Sequence, residues 1–244
     1  MRVDNRQSGI LHVLNEKKSF MLATDFEFEV DNQNLMFHIP LPKVTELFLS
    51  IAQKSSDSYK EKDNEIGRLL SSEYKNFPRG TLITDSKFIT MIYDLFEESY
   101  KCLTFSAMTL ESFANNLIPN DYVDKKGRTK EEIERTEKLI NKLKIVIPDA
   151  FNIPAPTNQP WWQDLVKVIK NRNELVHFKY HAVHSYIEAF TKPLFLRSLT
   201  PLPETIITVI QYYCKECQIE GGLFLPDILN RDVNNSEQIQ SEEK

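Results

Sequence analysis

The pattern of hydrophobic and polar positions changes near Pro42. Before that residue, the segments 26–30 (FEFEV) and 35–39 (LMFHI) have the composition of strands and flank the turn-prone sequence DNQN, which is typical of a β-hairpin. After it, hydrophobic side chains recur at the spacing of amphipathic helices, beginning with Val44. The sequence therefore predicts a mainly α-helical protein with a small N-terminal β-hairpin over residues 1–41.

The predicted helical part of the chain occupies residues 42–229. Its strongest helical pattern covers residues 88–118 and follows the N-cap residues of the segment TDS. Thr129 and Glu132 have the spacing of a capping box, and they open a helix that we expect to continue to about residue 146.

Other segments complete the predicted order of elements. Residues 148–160 contain four prolines and are expected to form a stiff loop, because proline interrupts helices. Further helices are predicted over 42–70, as one helix or two, from residue 161, and over 203–221. The polar residues 230–244 lack aromatic side chains and are expected to form a disordered tail.

The composition is that of a soluble globular protein, since 41% of the 244 residues are hydrophobic and 27% are charged. Neither a secretory signal nor a run of roughly 18 apolar residues is found in the sequence. The chain has three cysteines, Cys102, Cys214 and Cys217, which is an odd number and too few for disulfide bonds to stabilise a fold of this size. This fits a reducing compartment. We therefore expect a cytoplasmic protein with no membrane partner.

Charge and motifs narrow the functional classes. The net charge of −5 argues against coating of nucleic acid by the whole surface, and it leaves room for a local basic site. The chain has only 6 glycines and lacks a phosphate-cradling glycine-rich loop, a G-x-S-x-G elbow and an H-E-x-x-H motif. Nucleotide-triphosphate folds are therefore not indicated.

One charged residue interrupts the apolar side of the helix that begins at Trp161. At about 100° per residue, Leu165, Ile169 and their apolar neighbours share one broad arc, and Arg172 falls inside it. A guanidinium pressed into an apolar contact is costly unless a partner meets it. We therefore expect Arg172 to bind an anion or another hydrogen-bond acceptor.

Three kinds of partner fit Arg172: an acid of this chain such as Glu111 or Glu98, a second protein, or a phosphate. Asn173 and His177 lie about 40° apart on one flank of the arc, where their side chains can touch. Arg172 lies about 140° from His177, and only its length lets it reach toward the imidazole or a shared ligand. The spacing therefore permits a three-residue site.

The segment RNELVH (172–177) resembles the R-N-x-x-x-H signature of the HEPN superfamily, small α-helical domains named for higher eukaryotes and prokaryotes nucleotide-binding. The segment AMTLESFANNL (107–117) also resembles the helix that packs against the signature helix in that family. The resemblance covers about residues 85–215. It implies a bundle of four or five antiparallel helices that usually forms a homodimer, with the two signature helices together across a cleft.

Many members of that family are metal-independent endoribonucleases, frequently toxins or antiviral defence effectors. The resemblance implies that Arg172 contacts the scissile phosphate, that His177 acts as acid or base, and that Asn173 orients them. An imidazole titrates near neutrality and suits proton transfer at an RNA 2′-OH, and a guanidinium suits the growing charge of the phosphate. Products with 2′,3′-cyclic phosphate and 5′-OH ends are expected, with no cofactor and with an antitoxin or sensor protein as a further partner.

Two other functional classes fit the same residues. In a non-catalytic dimerisation or partner-binding module, Arg172 would meet a carboxylate. In a zinc-binding structural protein, one helix flank would supply the ligands His177, His181 and His184. The segment CKEC (214–217) could add thiolates, although a single C-x-x-C within a helix lacks the paired knuckle of zinc sites. We expect these cysteines to pack in the last helix instead.

Overall fold

The computed structural model describes residues 11–14, 20–30, 33–40, 43–78, 81, 84–176 and 202–219. Within these ranges the protein is mainly helical, as the hydrophobic spacing predicts. The chain divides into two compact units, Met1–Lys43 and Val44–Lys244. The segment 230–244, which we expect to be a disordered tail, lies outside the described residues.

The first unit contains a three-stranded antiparallel sheet in the order β1-β2-β3. The strands are β1 (Leu11–Leu14), β2 (Phe20–Val30) and β3 (Gln33–Pro40). The segments 26–30 and 35–39, whose β-branched and aromatic residues favour strands, lie within β2 and β3. Val30 of β2 pairs with Gln33 of β3, so the paired ends of the two strands are separated by two residues of sequence.

Two long helices open the second unit. The first, α1, spans Val44–Ser72, so the pattern over 42–70 forms one helix. The second, α2, spans Ser86–Leu117. Asp85 caps α2 by accepting hydrogen bonds from the first backbone N–H groups of that helix, at 2.7 and 3.3 Å. Pro119 follows shortly after its last residue, where a helix cannot continue.

The helices α1 and α2 run antiparallel. Oγ1 of Thr45 and Oγ of Ser112 lie 2.8 Å apart where α1 begins and α2 ends. Toward the other end of the pair, Nζ of Lys62 donates to Oδ2 of Asp94 over 3.2 Å. Burial of the facing apolar side chains stabilises both helices more than their intrinsic propensities do. An apolar cluster in this part of the pair consists of Tyr59, Ile66 and Leu95.

A shorter helical region follows α2. It consists of α3 (Lys130–Thr136), α4 (Leu139–Asn141), a π-helical turn (Lys142–Val146) and α5 (Ile147–Phe151). The capping box is confirmed: Thr129 accepts from the backbone N–H of Glu132, and the carboxylate of Glu132 accepts from the backbone N–H of Thr129 over 2.9 Å. The predicted extent is wrong, because α3 ends early and helical backbone resumes and continues beyond residue 148.

Pro148 is accommodated because the preceding turn is π-helical. In such a turn each backbone N–H bonds to the carbonyl five residues earlier, as the N–H of Ile147 does to Lys142. Pro148 has no N–H to offer the carbonyl of Leu143. The hydroxyl of Tyr213 donates to that carbonyl instead, over 2.5 Å. The carbonyl that Pro148 leaves without a donor is thus satisfied by a residue of a distant helix. The stiff loop predicted over residues 148–160 therefore begins later, after α5 ends at Phe151.

Two further helices of the described ranges contribute to the core of the second unit. A 3₁₀ turn at Pro156–Asn158 precedes α6 (Trp162–Val176), and α7 spans Leu202–Glu216. Trp162 is only 5% exposed and belongs to the core. The largest hydrophobic cluster of the described residues draws on α1, α2, residues 133–151, α6 and α7, and includes Phe113, Leu143, Leu165 and Ile210. None of the helices in the described ranges has the length and hydrophobicity that crossing a bilayer requires.

Candidate functional site

Arg172 continues the buried side of α6. Trp162, Leu165 and Ile169 are each at most 5% exposed, and they recur three or four residues apart, the spacing of one helix face. Arg172 is the next position of that series, and its side chain is partly buried. Val176, one turn further, is 50% exposed. Arg172 therefore lies where the apolar stripe of α6 reaches the edge of the core.

The guanidinium of Arg172 is only partly satisfied. Its Nη1 donates to Oδ1 of Asn173 over 3.0 Å, so the neighbouring amide restrains the guanidinium. Its Nε is shielded from solvent and has no hydrogen-bond partner among the described residues. A buried donor without an acceptor costs about 1–3 kcal/mol. An incoming acceptor that reaches Nε would recover part of that free energy.

The acids that sequence spacing offered to Arg172 have other partners. Glu98 pairs with Lys101 at 3.2 Å, and Glu111 pairs with the ammonium group of Lys142. No acid in the part of the chain that the structure describes forms an ion pair with Arg172. The alternative in which Arg172 pairs with Glu98 or Glu111 is therefore not what the structure contains.

Lys142, in the π-helical turn, is fully buried, at 0% exposure. Its Nζ donates to the carboxylate of Glu111, to Oδ1 of Asn115 over 2.9 Å and to the backbone carbonyl of Glu134 over 2.8 Å. An ammonium group has three donors, and these three acceptors use them all. A buried charge requires such complete pairing, so Lys142 holds Glu111 in place from inside the protein.

Arg172 and Asn173 line a cleft of about 610 Å³. The walls come from α2, from the residues around the α3–α4 junction, and from α6. This volume is within the range of sites that bind small molecules or parts of larger ones. The charged and polar residues of the lining are Glu111, Arg135, Glu137, Lys138, Arg172 and Asn173.

Glu137, the second acid of the cleft, is also held by residues outside the lining. Its Oε1 accepts from Nδ2 of Asn141 over 2.6 Å, and its Oε2 accepts from Nη2 of Arg128 over 2.9 Å. The hydrogen bonds from Asn141 and then from Arg128 lower the pKa of Glu137 below its usual value. Arg128 also pairs with Asp124 at 2.7 Å. Glu137 is therefore ionised at neutral pH and already has a cationic partner.

The third residue of the predicted site, His177, lies outside the described residues, together with His181 and His184. The structure thus brings Arg172 and Asn173 together. Cys214 is buried on α7, where we expected it to pack, and its thiol is free. Within the described ranges, no group of three or more His, Cys, Asp or Glu side chains is arranged to hold a metal ion.

Sequence reasoning missed four charged residues of this region: Lys142, Arg135, Glu137 and Lys138. For Lys142 a signal was present, because Leu139 and Val146 stand three residues before and four residues after it. These positions share one helix face, and both side chains are buried. Arg135 and Lys138 carried no comparable signal, since they are exposed residues in a charged segment.

Comparison of the chain with protein-family models, with curated proteins and with solved structures found no match in any of the three. Its class is therefore defined by its own fold and site. It is a mainly helical protein with a charged cleft, in which the arginine of α6 has no acidic partner among the described residues.

Proposed function

We propose that this protein is a HEPN-like, metal-independent endoribonuclease that acts as a toxin or an antiviral defence effector. The observation that carries the proposal is the state of Arg172, which contacts Asn173, lines a cleft and meets no acid among the described residues. In this proposal the HEPN-like bundle covers about residues 85–215, and the N-terminal extension, which the sequence predicts as a hairpin, contains the three strands β1, β2 and β3.

The proposed reaction uses the three signature residues in separate roles. Arg172 binds the scissile phosphate and stabilises the charge that grows on its oxygens. His177 removes the proton of the adjacent 2′-OH, whose oxygen attacks the phosphorus while the bond to the 5′-oxygen breaks. That leaving oxygen takes up a proton, and the products end in a 2′,3′-cyclic phosphate and a 5′-OH. Asn173 positions the guanidinium through its 3.0 Å hydrogen bond.

A homodimer is part of the proposal. The reaction needs one group that accepts a proton and one that donates a proton, and each chain supplies a single signature histidine, His177. Two chains that place their α6 helices together across a cleft provide two imidazoles. An antitoxin or a sensor protein would then control access to this shared site.

The test compares RNA cleavage by the purified wild type, Arg172→Ala, His177→Ala and the matched control Arg68→Ala. Arg68 is exposed on α1 and does not line the cleft. We expect each site variant to lose at least about a hundredfold in rate, and the control to retain wild-type activity.

Two substrate and cofactor controls identify the chemistry. EDTA should leave the rate unchanged, because the proposed site uses no metal. An RNA with a 2′-deoxy sugar at the cleaved nucleotide should resist cutting, because the nucleophile is missing. Undiminished cleavage by Arg172→Ala or by His177→Ala would remove the assigned mechanism.

A non-catalytic dimerisation or partner-binding module is the second candidate, and the exposure of Val176 favours it. That apolar side chain is 50% exposed one turn beyond Arg172, so α6 offers an apolar and a cationic group together. In this case Arg172 pairs with a carboxylate of the partner chain. Light scattering would then show loss of the dimer in Arg172→Ala, and the wild type would cut no RNA.

A further inference from the structure

The acids that line the cleft at Arg172 are neutralised from outside it. Glu111 pairs with the buried Lys142, and Glu137 pairs with Arg128 at 2.9 Å. Neither of these two cations belongs to the lining of the cleft. The paired carboxylates therefore contribute little net negative charge to the space between the helices.

The cations that line the same cleft are not neutralised in this way. Arg135, Lys138 and Arg172 all belong to the lining, and none of them pairs with an acid in the ranges that the structure describes. Arg135 and Lys138 are exposed, one at the end of α3 and the other just before α4. The cleft is therefore locally basic in a chain whose net charge is −5, and it is suited to an anionic ligand.

We propose that Arg135 and Lys138 form a second phosphate subsite, which binds an unpaired RNA strand at a phosphodiester neighbouring the one at Arg172. This inference rests on the proposed function, because it extends the same site along the substrate. An arginine fork and a lysine point charge are the groups that proteins use for phosphate oxygens. Ile140, a partly buried apolar residue of the lining, offers surface to ribose and base.

A strand without base pairing is the form of RNA that fits a cleft of this kind. Its bases can be splayed apart and seated on protein surface, whereas duplex RNA presents mainly its backbone and shallow minor groove. The substrate class that the cleft selects is therefore a single-stranded loop, end or linker, in which two successive phosphates reach Arg172 and the Arg135–Lys138 pair.

The experiment measures binding of a probe that cannot be cut. Fluorescence anisotropy follows a short fluorescein-labelled 2′-O-methyl RNA, with wild type, the double variant Arg135→Gln/Lys138→Gln, and the control Lys126→Gln/Lys144→Gln. Both double variants remove two exposed cations, so they change the net charge equally. Thermal melting checks that each variant is folded.

We expect the cleft variant to bind about tenfold more weakly at low salt. The salt dependence of log K should also become shallower, by about 0.7 for each lost phosphate contact on a single strand. The control should differ from the wild type by no more than about twofold, because its lysines are outside the cleft.

Equal weakening by both double variants would overturn the inference, since net charge alone would explain it. Absence of any binding of the RNA probe to the wild type would also overturn it, even if pyrophosphate binds. Parallel cleavage assays separate the two proposals. If the wild type binds the probe through the subsite but cuts no RNA, the ribonuclease proposal is wrong. If the wild type cuts RNA and the variant Arg135→Gln/Lys138→Gln binds the probe as tightly as the wild type does, the second subsite is wrong.

Discussion

Lys142→Met tests how much the buried ammonium group that holds Glu111 stabilises the fold. Methionine preserves the length and most of the volume of the side chain, and it removes the charge and the three donors of the ammonium group. Glu111, Asn115 and the carbonyl of Glu134 would lose their shared partner. Glu111 would then be the acid of the cleft without a cation.

The expected loss of stability follows from the polar groups that lose Lys142 as their partner. Removing one member of a buried ion pair typically costs about 3–5 kcal/mol, and each buried acceptor without a donor about 1–3 kcal/mol. The side chain of Glu111 is 41% exposed and can be hydrated, which places the expected loss near the lower end. We expect Lys142→Met to lower the free energy of unfolding by about 3 kcal/mol.

Urea unfolding followed by tryptophan fluorescence measures this loss. Trp161 and Trp162 pack against the core of the helical unit, so the signal reports on that unit. The control Lys144→Met, an exposed lysine of the same turn, should change stability by no more than about 0.5 kcal/mol.

A double-mutant cycle with Glu111→Gln assigns the effect to the pair. The double variant should cost less than the sum of the single variants, by about 1–2 kcal/mol, because neither group is then left without its partner. A loss of less than about 1 kcal/mol in Lys142→Met would refute the reasoning, since the three hydrogen bonds would then carry little net stability.

Two further predictions concern the surroundings of the cleft. Tyr213→Phe should lower the free energy of unfolding by about 1–2 kcal/mol in the same urea assay, because the carbonyl of Leu143 loses its donor; an unchanged midpoint would show that another donor replaces the hydroxyl. Glu137→Gln should be less stable than the wild type at about pH 7, and the difference should be smaller at about pH 3, because the folded pKa of Glu137 lies below its unfolded value and its stabilisation is lost as the pH falls through that folded pKa. A stability difference of the same size in urea titrations at both pH values would contradict this linkage.

The sequence alone was sufficient for features that depend on neighbours along the chain. The capping box of Thr129 and Glu132, the cap among residues 84–86 and the end of α2 before Pro119 are set by groups within four residues of one another. Periodicity placed Arg172 on the apolar stripe of α6 for the same reason, since positions three or four residues apart share a helix face.

The tertiary structure alone decided which partner each buried polar group has. Glu111 pairs with Lys142, 31 residues away, so it is not the partner of Arg172. The carbonyl of Leu143 receives the hydroxyl of Tyr213, 70 residues away, so α5 runs through Pro148. The partners of ion pairs and hydrogen bonds in a core depend on distances in space and on burial. The periodicity of a single helix carries no information about either.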